Sequence, residues 1–65
     1  MIQELDTVVL VKDLEEYQLK RGDVGTVVLV HEGGKAYEVE FVTGEGKTIA
    51  VLTIPAGNLH PYAPA

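Results

Sequence analysis

Cysteine, serine and tryptophan are all absent from this chain of 65 residues. Without cysteine there are no disulfides and no thiolate metal ligands, and the chain fits a reducing compartment such as the cytoplasm. Without serine or cysteine, a nucleophilic enzyme would depend on threonine, lysine or a carboxylate, and each of these needs an activating neighbour. Four of the five threonines, Thr7, Thr26, Thr48 and Thr53, fall in strand patterns, where β-propensity accounts for them. We therefore expect no catalytic residue and no enzyme.

Basic residues are scarce, since five lysines and arginines stand against ten acids and give a net charge of −5. Nucleic-acid binding requires basic side chains to displace counterions from phosphate, and an anionic membrane would repel this chain for the same reason. The longest apolar runs have four residues, whereas a spanning helix needs about 20. The acidic start, Met1–Glu4, is unlike a signal peptide. These features favour a protein partner of basic charge in the cytoplasm.

The length allows one small domain, predicted over residues 1–61 and followed by a tail over 62–65. A domain of this size has a thin core. Its stability has to come from the 46% hydrophobic content, and burial in a homo-oligomer would add to it. No cofactor is expected.

Short β-branched runs separated by glycine-rich turns indicate strands. They are predicted at 6–12, 25–31, 36–42 and 47–53, with a brief last strand at 59–60 and one 3₁₀ turn within 54–58. A long polar loop over 13–21 follows the first strand and has room for a single helical turn. The third strand alternates most clearly: Tyr37, Val39 and Phe41 face the core, whereas Glu38 and Glu40 face water.

Glycines mark the predicted turns, because they adopt positive φ at no steric cost. The predicted turn glycines are Gly22, Gly25, Gly33, Gly34, Gly44 and Gly46. Gly25 is further expected to need either positive φ or a close backbone approach at the start of the second strand. None of these glycines precedes a helix, so none forms a phosphate-binding loop.

Five short strands, a long first loop, two tight hairpins and a 3₁₀ turn before the last strand predict an all-β fold, a small five-stranded SH3-like barrel. A barrel also protects strand edges that a flat sheet of this size would expose. A five-stranded OB-fold is the rival interpretation, but it needs a helix between strands three and four, for which this chain has no room.

Four blocks of the sequence carry a resemblance: LDTVVL at 5–10, RGDVGTVV at 21–28, AYEVEF at 36–41 and LTIPA at 52–56. Together these blocks resemble a small prokaryotic family known as domain of unknown function 4926, over about residues 1–61. The resemblance implies an SH3-like fold and stand-alone bacterial and archaeal proteins, some of them paired with a neighbouring toxin-like protein. It implies no activity.

The acidic loop supplies the candidate binding residues. Leu14, Glu15, Glu16 and Tyr17 mix charge with apolar side chains, and acids around an aromatic complement a basic partner surface. Tyr62 in the tail is a further candidate, because it has no obvious core role. The alternative interpretation is a solvated loop in which Leu14 caps the barrel.

No metal site is predicted, because a zinc site needs three or four close ligands and the only histidines are His31 and His60. Glu38 and Glu40 share one strand face, and glycosidases use a pair of acids, but a barrel this small lacks an enclosing cleft.

Three functions remain open at this point. The leading hypothesis is a non-catalytic interaction module, such as the neutralising partner of a toxin-like protein. A second is a nucleic-acid-binding module, because the second strand begins with a G-x-x-G-x-V pattern similar to KOW modules, with Lys20, Arg21 and Lys47 as phosphate contacts. A third is an accessory or assembly subunit of a larger enzyme.

Overall fold

The structure of the protein, a computed structural model, describes residues 2–42 and 47–62. The hairpin predicted around Gly44 and Gly46 lies outside the described residues, as do Met1 and 63–65 of the tail. The described chain is all-β, as the sequence predicts. Its strands are β1 (Thr7–Leu10), β2 (Val24–His31), β3 (Ala36–Val42), β4 (Thr48–Pro55) and β5 (Leu59–Pro61). Two 3₁₀ turns complete it, one at Glu15–Tyr17 in the long first loop and one at Ala56–Asn58 just before β5.

The strands form one antiparallel sheet in the order β4-β3-β2-β1-β5. Strands β2, β3 and β4 follow one another along the chain and in the sheet. Strand β5 returns to pair with β1, where His60 lies opposite Val9. This connectivity, with its long first loop and its 3₁₀ turn before the last strand, is compatible with an SH3-like barrel.

One face of the sheet forms the core. Every strand contributes to a single buried cluster, and Val8, Val27 and Val39 have no exposed surface. The described residues contain no layer of helices to cover that face. The sheet therefore has to curl around its own apolar side chains, which is how a closed or nearly closed sheet excludes water.

A β-bulge in β2 explains its four-residue apolar run. Val27 pairs with Val39 and Leu29 pairs with Glu38, so Val28 is the extra residue. The bulge turns Val28 and Leu29 outward, where they are 41% and 42% exposed. Bulges increase the local bend of a sheet, so this one helps β2 to curve around the core.

Gly25 makes a close approach, which is one of the two alternatives that the sequence predicts for it. It lies inside β2 rather than in a turn, paired with Val8 on one side and Phe41 on the other. A Cβ at this position would lie 2.6 Å from Val39 Cγ1 and 2.9 Å from the Glu40 carbonyl oxygen. By contrast, Gly22, Gly33 and Gly34 have positive φ, as turn residues do.

The structure adjusts four sequence predictions. Strand β1 is shorter than the predicted 6–12, and β4 extends to Pro55. Leu19, predicted within a polar loop, is 2% exposed and belongs to the core. Glu38 and Glu40 are half-buried on the outer face, rather than fully exposed to solvent.

Within the described ranges, no helical segment is long and apolar enough to cross a membrane.

Candidate interaction groove

The long loop between β1 and β2 is held by its own backbone. The N–H of Leu14 donates to the carbonyl of Leu19 at 2.8 Å, and the N–H of Leu19 donates back to Leu14 at 3.1 Å. These two bonds close a small ring around the first 3₁₀ turn, and Gln18 completes it in a left-handed conformation with φ 60°. The loop therefore has a defined local structure, held by its own backbone hydrogen bonds.

Two aspartates accept backbone N–H groups within the same loop. Asp13 Oδ1 accepts the backbone N–H of Arg21 at 2.9 Å, and Asp23 Oδ2 accepts the backbone N–H of Lys20 at 2.9 Å. Leu19 is buried and Leu14 packs against the core cluster. Packing of these two leucines and the two hydrogen bonds therefore fix the positions of the acidic residues of the loop.

A groove of about 510 Å³ runs between this loop and strand β4. One wall carries Lys12, Leu14, Glu16 and Tyr17, and the other is the β4 segment from Val51 to Pro55, with Asn58 at one end. Leu14 packs against the core, whereas Glu16 and Tyr17 are exposed, so the lining of the groove mixes apolar and polar groups. Such a surface suits a peptide segment better than a small molecule that must be enclosed.

The rim has side chains free to meet a ligand. Tyr17 is 44% exposed, and the side chains of Glu16 and Tyr17 make no hydrogen bond or ion pair with any other described residue. Glu15 projects differently and lines a neighbouring hollow with Asp13 and Lys20. The loop thus presents acids on both sides of the 3₁₀ turn.

The structure brings together only part of the predicted site. Leu14, Glu16 and Tyr17 share the groove, and Glu15 adjoins it. Tyr62, although 50% exposed, donates its backbone N–H to Thr7 at 2.9 Å. It therefore lies at the far end of the β1–β5 ladder from the loop and does not line the groove.

Two of the groove's features are not evident from the sequence alone. Lys12 and the β4 residues Val51 to Pro55 line it, yet residues 48–55 read as an ordinary strand. The only local signal is Pro55, since proline in a sheet is confined mainly to edges and strand ends. That β4 lies at the edge of the sheet follows from the strand order, which a single sequence does not display.

One polar pair lies away from the groove, on the outer face. His31 Nε2 is 3.0 Å from Glu38 Oε2, and both side chains are about one-third exposed. Within the described ranges no third histidine or carboxylate joins them at a spacing that would hold a metal ion. The pair links adjacent strands β2 and β3.

These features define a small all-β domain with one five-stranded antiparallel sheet and a groove beside an edge strand. The chain belongs to the family described as "Domain of unknown function (DUF4926)", whose model matches residues 4–61. The match agrees with the resemblance seen in the sequence blocks and covers all five strands. No curated protein and no solved structure matches the chain.

Proposed function

We propose that this protein is a non-catalytic interaction module that binds a basic partner protein through the groove between the first 3₁₀ turn and β4. The observation that carries the proposal is the position of Glu16 and Tyr17, exposed together on the rim above the apolar Leu14. Tyrosine beside an apolar pocket is a frequent anchor of protein interfaces, and an acid beside it selects a cationic partner.

Charge supports the same proposal. The net charge of −5 attracts a basic protein at long range and so raises the association rate. Because salt screens this attraction, the association rate is expected to fall as salt is added. Lys12 is a single positive charge on the rim, beside Glu16 and the acids around the neighbouring hollow. A basic, toxin-like protein that this chain neutralises in the cytoplasm would be a partner with this charge.

The hydrogen bonds within the loop also support binding. Because Leu14 and Leu19 exchange two backbone bonds and Asp13 fastens Arg21, the rim is ordered before a partner arrives. A surface that is already ordered loses less conformational entropy on association.

The experiment is affinity capture with the tagged chain from native-source lysate at low and high salt, followed by titration of the purified captured protein. The matched variants are Tyr17→Ala and Tyr62→Ala, since both tyrosines are about half exposed and only Tyr17 lines the groove. We expect a basic protein that is lost at high salt and is bound less tightly by Tyr17→Ala only. Recovery of nucleic acid, or weaker binding by Tyr62→Ala alone, would refute the proposed site.

A further inference from the structure

The sheet has two edges, β5 and β4, and they differ in what they offer to another chain. On β5, Asn58, His60 and Tyr62 face β1, as the bonds between Val11 and Asn58 and between Tyr62 and Thr7 show. The outward residues are then Leu59 and Pro61. Leu59 already donates its N–H to Ala56, and Pro61 has no N–H. This edge is closed to strand pairing.

Strand β4 is different. The N–H of Ala56 donates to the carbonyl of Lys35 at 3.0 Å, and Ile54 lies opposite Tyr37 in a regular register. Since hydrogen-bonded and non-hydrogen-bonded pairs alternate in an antiparallel ladder, Ile54 also bonds to β3. The residues that direct their backbone groups to the open side are Val51, Thr53 and Pro55. Pro55 lacks an N–H, so Val51 and Thr53 present the donors of this edge.

The groove lies along that open edge. The residues Val51 to Pro55 form one wall of it, and Leu14 and Tyr17 stand across from them. An added strand would bond to the outward groups of Val51 and Thr53. Its alternate side chains would fall into the groove beside Leu14 and Tyr17, or onto the outer face beside Val51, which is 50% exposed. The free backbone groups and the groove thus match the two requirements of strand addition, main-chain bonds and pockets for alternate side chains.

We propose that β4 receives an extended segment of the basic partner as a sixth strand of the sheet; this inference rests on the function proposed above. The segment alternates apolar residues with lysine or arginine. Apolar side chains occupy the groove beside Leu14 and Tyr17. The cationic side chains alternate with them and lie on the outer face beside Val51, where Glu38 and Glu40 of the neighbouring strand supply negative charge. Charge selects this occupant over a second copy, because pairing two β4 edges would bring together two chains that each carry −5.

The test uses a synthetic peptide in which valine and lysine alternate, added to the isotopically labelled chain while amide hydrogen exchange is followed residue by residue. In the free protein we expect the N–H groups of Val51 and Thr53 to exchange quickly and that of Ile54 slowly. The peptide is expected to slow Val51 and Thr53 by tenfold or more. A peptide with glutamate in place of lysine, and a valine–lysine peptide N-methylated at alternate residues, are expected to give no protection.

Two variants of Thr53 distinguish the contribution of its backbone N–H to peptide binding from that of its side chain. Thr53→Pro removes an outward donor, whereas Thr53→Val retains it, and thermal melts check that both remain folded. We expect Thr53→Pro to weaken peptide binding by about tenfold, on the scale of one hydrogen bond, and Thr53→Val to leave it nearly unchanged.

Three results would overturn strand addition. The first is no protection of Val51 and Thr53 at any peptide concentration. The second is equal binding by the two Thr53 variants. The third is protection in the free protein with a doubled mass by light scattering, which would make a second copy the occupant. A captured basic protein that binds Tyr17→Ala weakly but Thr53→Pro normally would overturn strand addition while leaving the proposed function standing.

Discussion

Gly25 in β2 and Val39 in β3 are diagonal neighbours on the core side of adjacent strands, so close that a Cβ on Gly25 would lie 2.6 Å from Val39 Cγ1. Gly25 does not have a positive φ, so its backbone conformation is not the reason that glycine is needed here. The contact is one of space: β2 and β3 pack here without room for a methyl group. The space beside Gly25 is already filled by the side chain of Val39, which has no exposed surface.

Gly25→Ala is expected to lower the free energy of unfolding by about 1–3 kcal/mol, the usual cost of overpacking, and Gly25→Val by more. The backbone carbonyl of Glu40, 2.9 Å from the added Cβ, has little freedom to move away. Gly57→Ala is the control, because nothing lies within 4 Å of a Cβ at that position. Urea denaturation measures all three. Equal midpoints for Gly25→Ala and Gly57→Ala would contradict the steric argument.

Leu19→Ala is expected to destabilise the protein by about 2–4 kcal/mol, although the residue lies in a loop. Leu19 is 2% exposed and belongs to the core cluster. Leu5→Ala is the control, since Leu5 is 79% exposed and its loss should change stability by less than about 0.5 kcal/mol. Chemical denaturation of the two variants measures the difference, and similar losses would show that the loop does not contribute to the core.

Asp13→Ala is expected to lower stability by about 0.5–1.5 kcal/mol, because it removes the acceptor of the Arg21 N–H. The control is Glu15→Ala, which removes the same charge from the same loop but breaks no hydrogen bond among the described residues. Amide exchange at Arg21 gives a second reading, since it should accelerate only in Asp13→Ala. A faster Arg21 amide in both variants would mean that charge, and not the bond, holds the loop.

Gln18→Gly is expected to raise stability by up to about 1 kcal/mol. Gln18 ends the 3₁₀ turn with φ 60°, a conformation that costs residues with a side chain roughly 1–2 kcal/mol and glycine little, although glycine loses more entropy on folding. The reverse change, Gly22→Ala at φ 97°, is expected to lower stability by about 1–2 kcal/mol. Thermal melts that gave both changes the same sign would exclude backbone strain as the cause.

Glu16→Lys is expected to weaken binding of a basic partner by roughly five- to tenfold at low salt, and by less at high salt. Glu15→Lys, in the neighbouring hollow, should have a smaller effect in the same direction. Glu4→Lys carries the same change of charge on the segment before β1, away from the groove, and serves as the control. Titrations at two salt concentrations measure these affinities. If Glu16→Lys and Glu4→Lys weakened binding equally, only net charge would matter.

The fold was accessible from the sequence because its signals are local. The alternation of Tyr37, Val39 and Phe41 predicts the buried face of β3, whose bounds agree with the prediction to the residue. The glycine pair Gly33 and Gly34 predicts the turn before it. Leu19 was missed because a single apolar residue among polar ones has no periodicity, and its burial depends on where the loop folds back.

The candidate site was accessible only in part, for a related reason. The mixture of acids with Leu14 and Tyr17 marks one wall of the groove, and it is contiguous in the chain. The opposite wall belongs to β4, which is distant in sequence and becomes a neighbour only through the curl of the sheet. Tyr62 was grouped with the loop because it had no obvious core role, and the register of β5 against β1 separates the two.

The pairing of Val9 with His60 also has a kinetic consequence. Strands β2, β3 and β4 pair with their neighbours along the chain, whereas β1 and β5 meet only after nearly the whole chain has been closed into a loop, which is the contact with the largest entropic cost. The three-stranded meander is therefore expected to form in the folding transition state, with β5 added after it. Truncation of the Leu59 side chain should then speed unfolding and hardly slow folding, so that the lifetime of the native protein depends on its last and shortest strand.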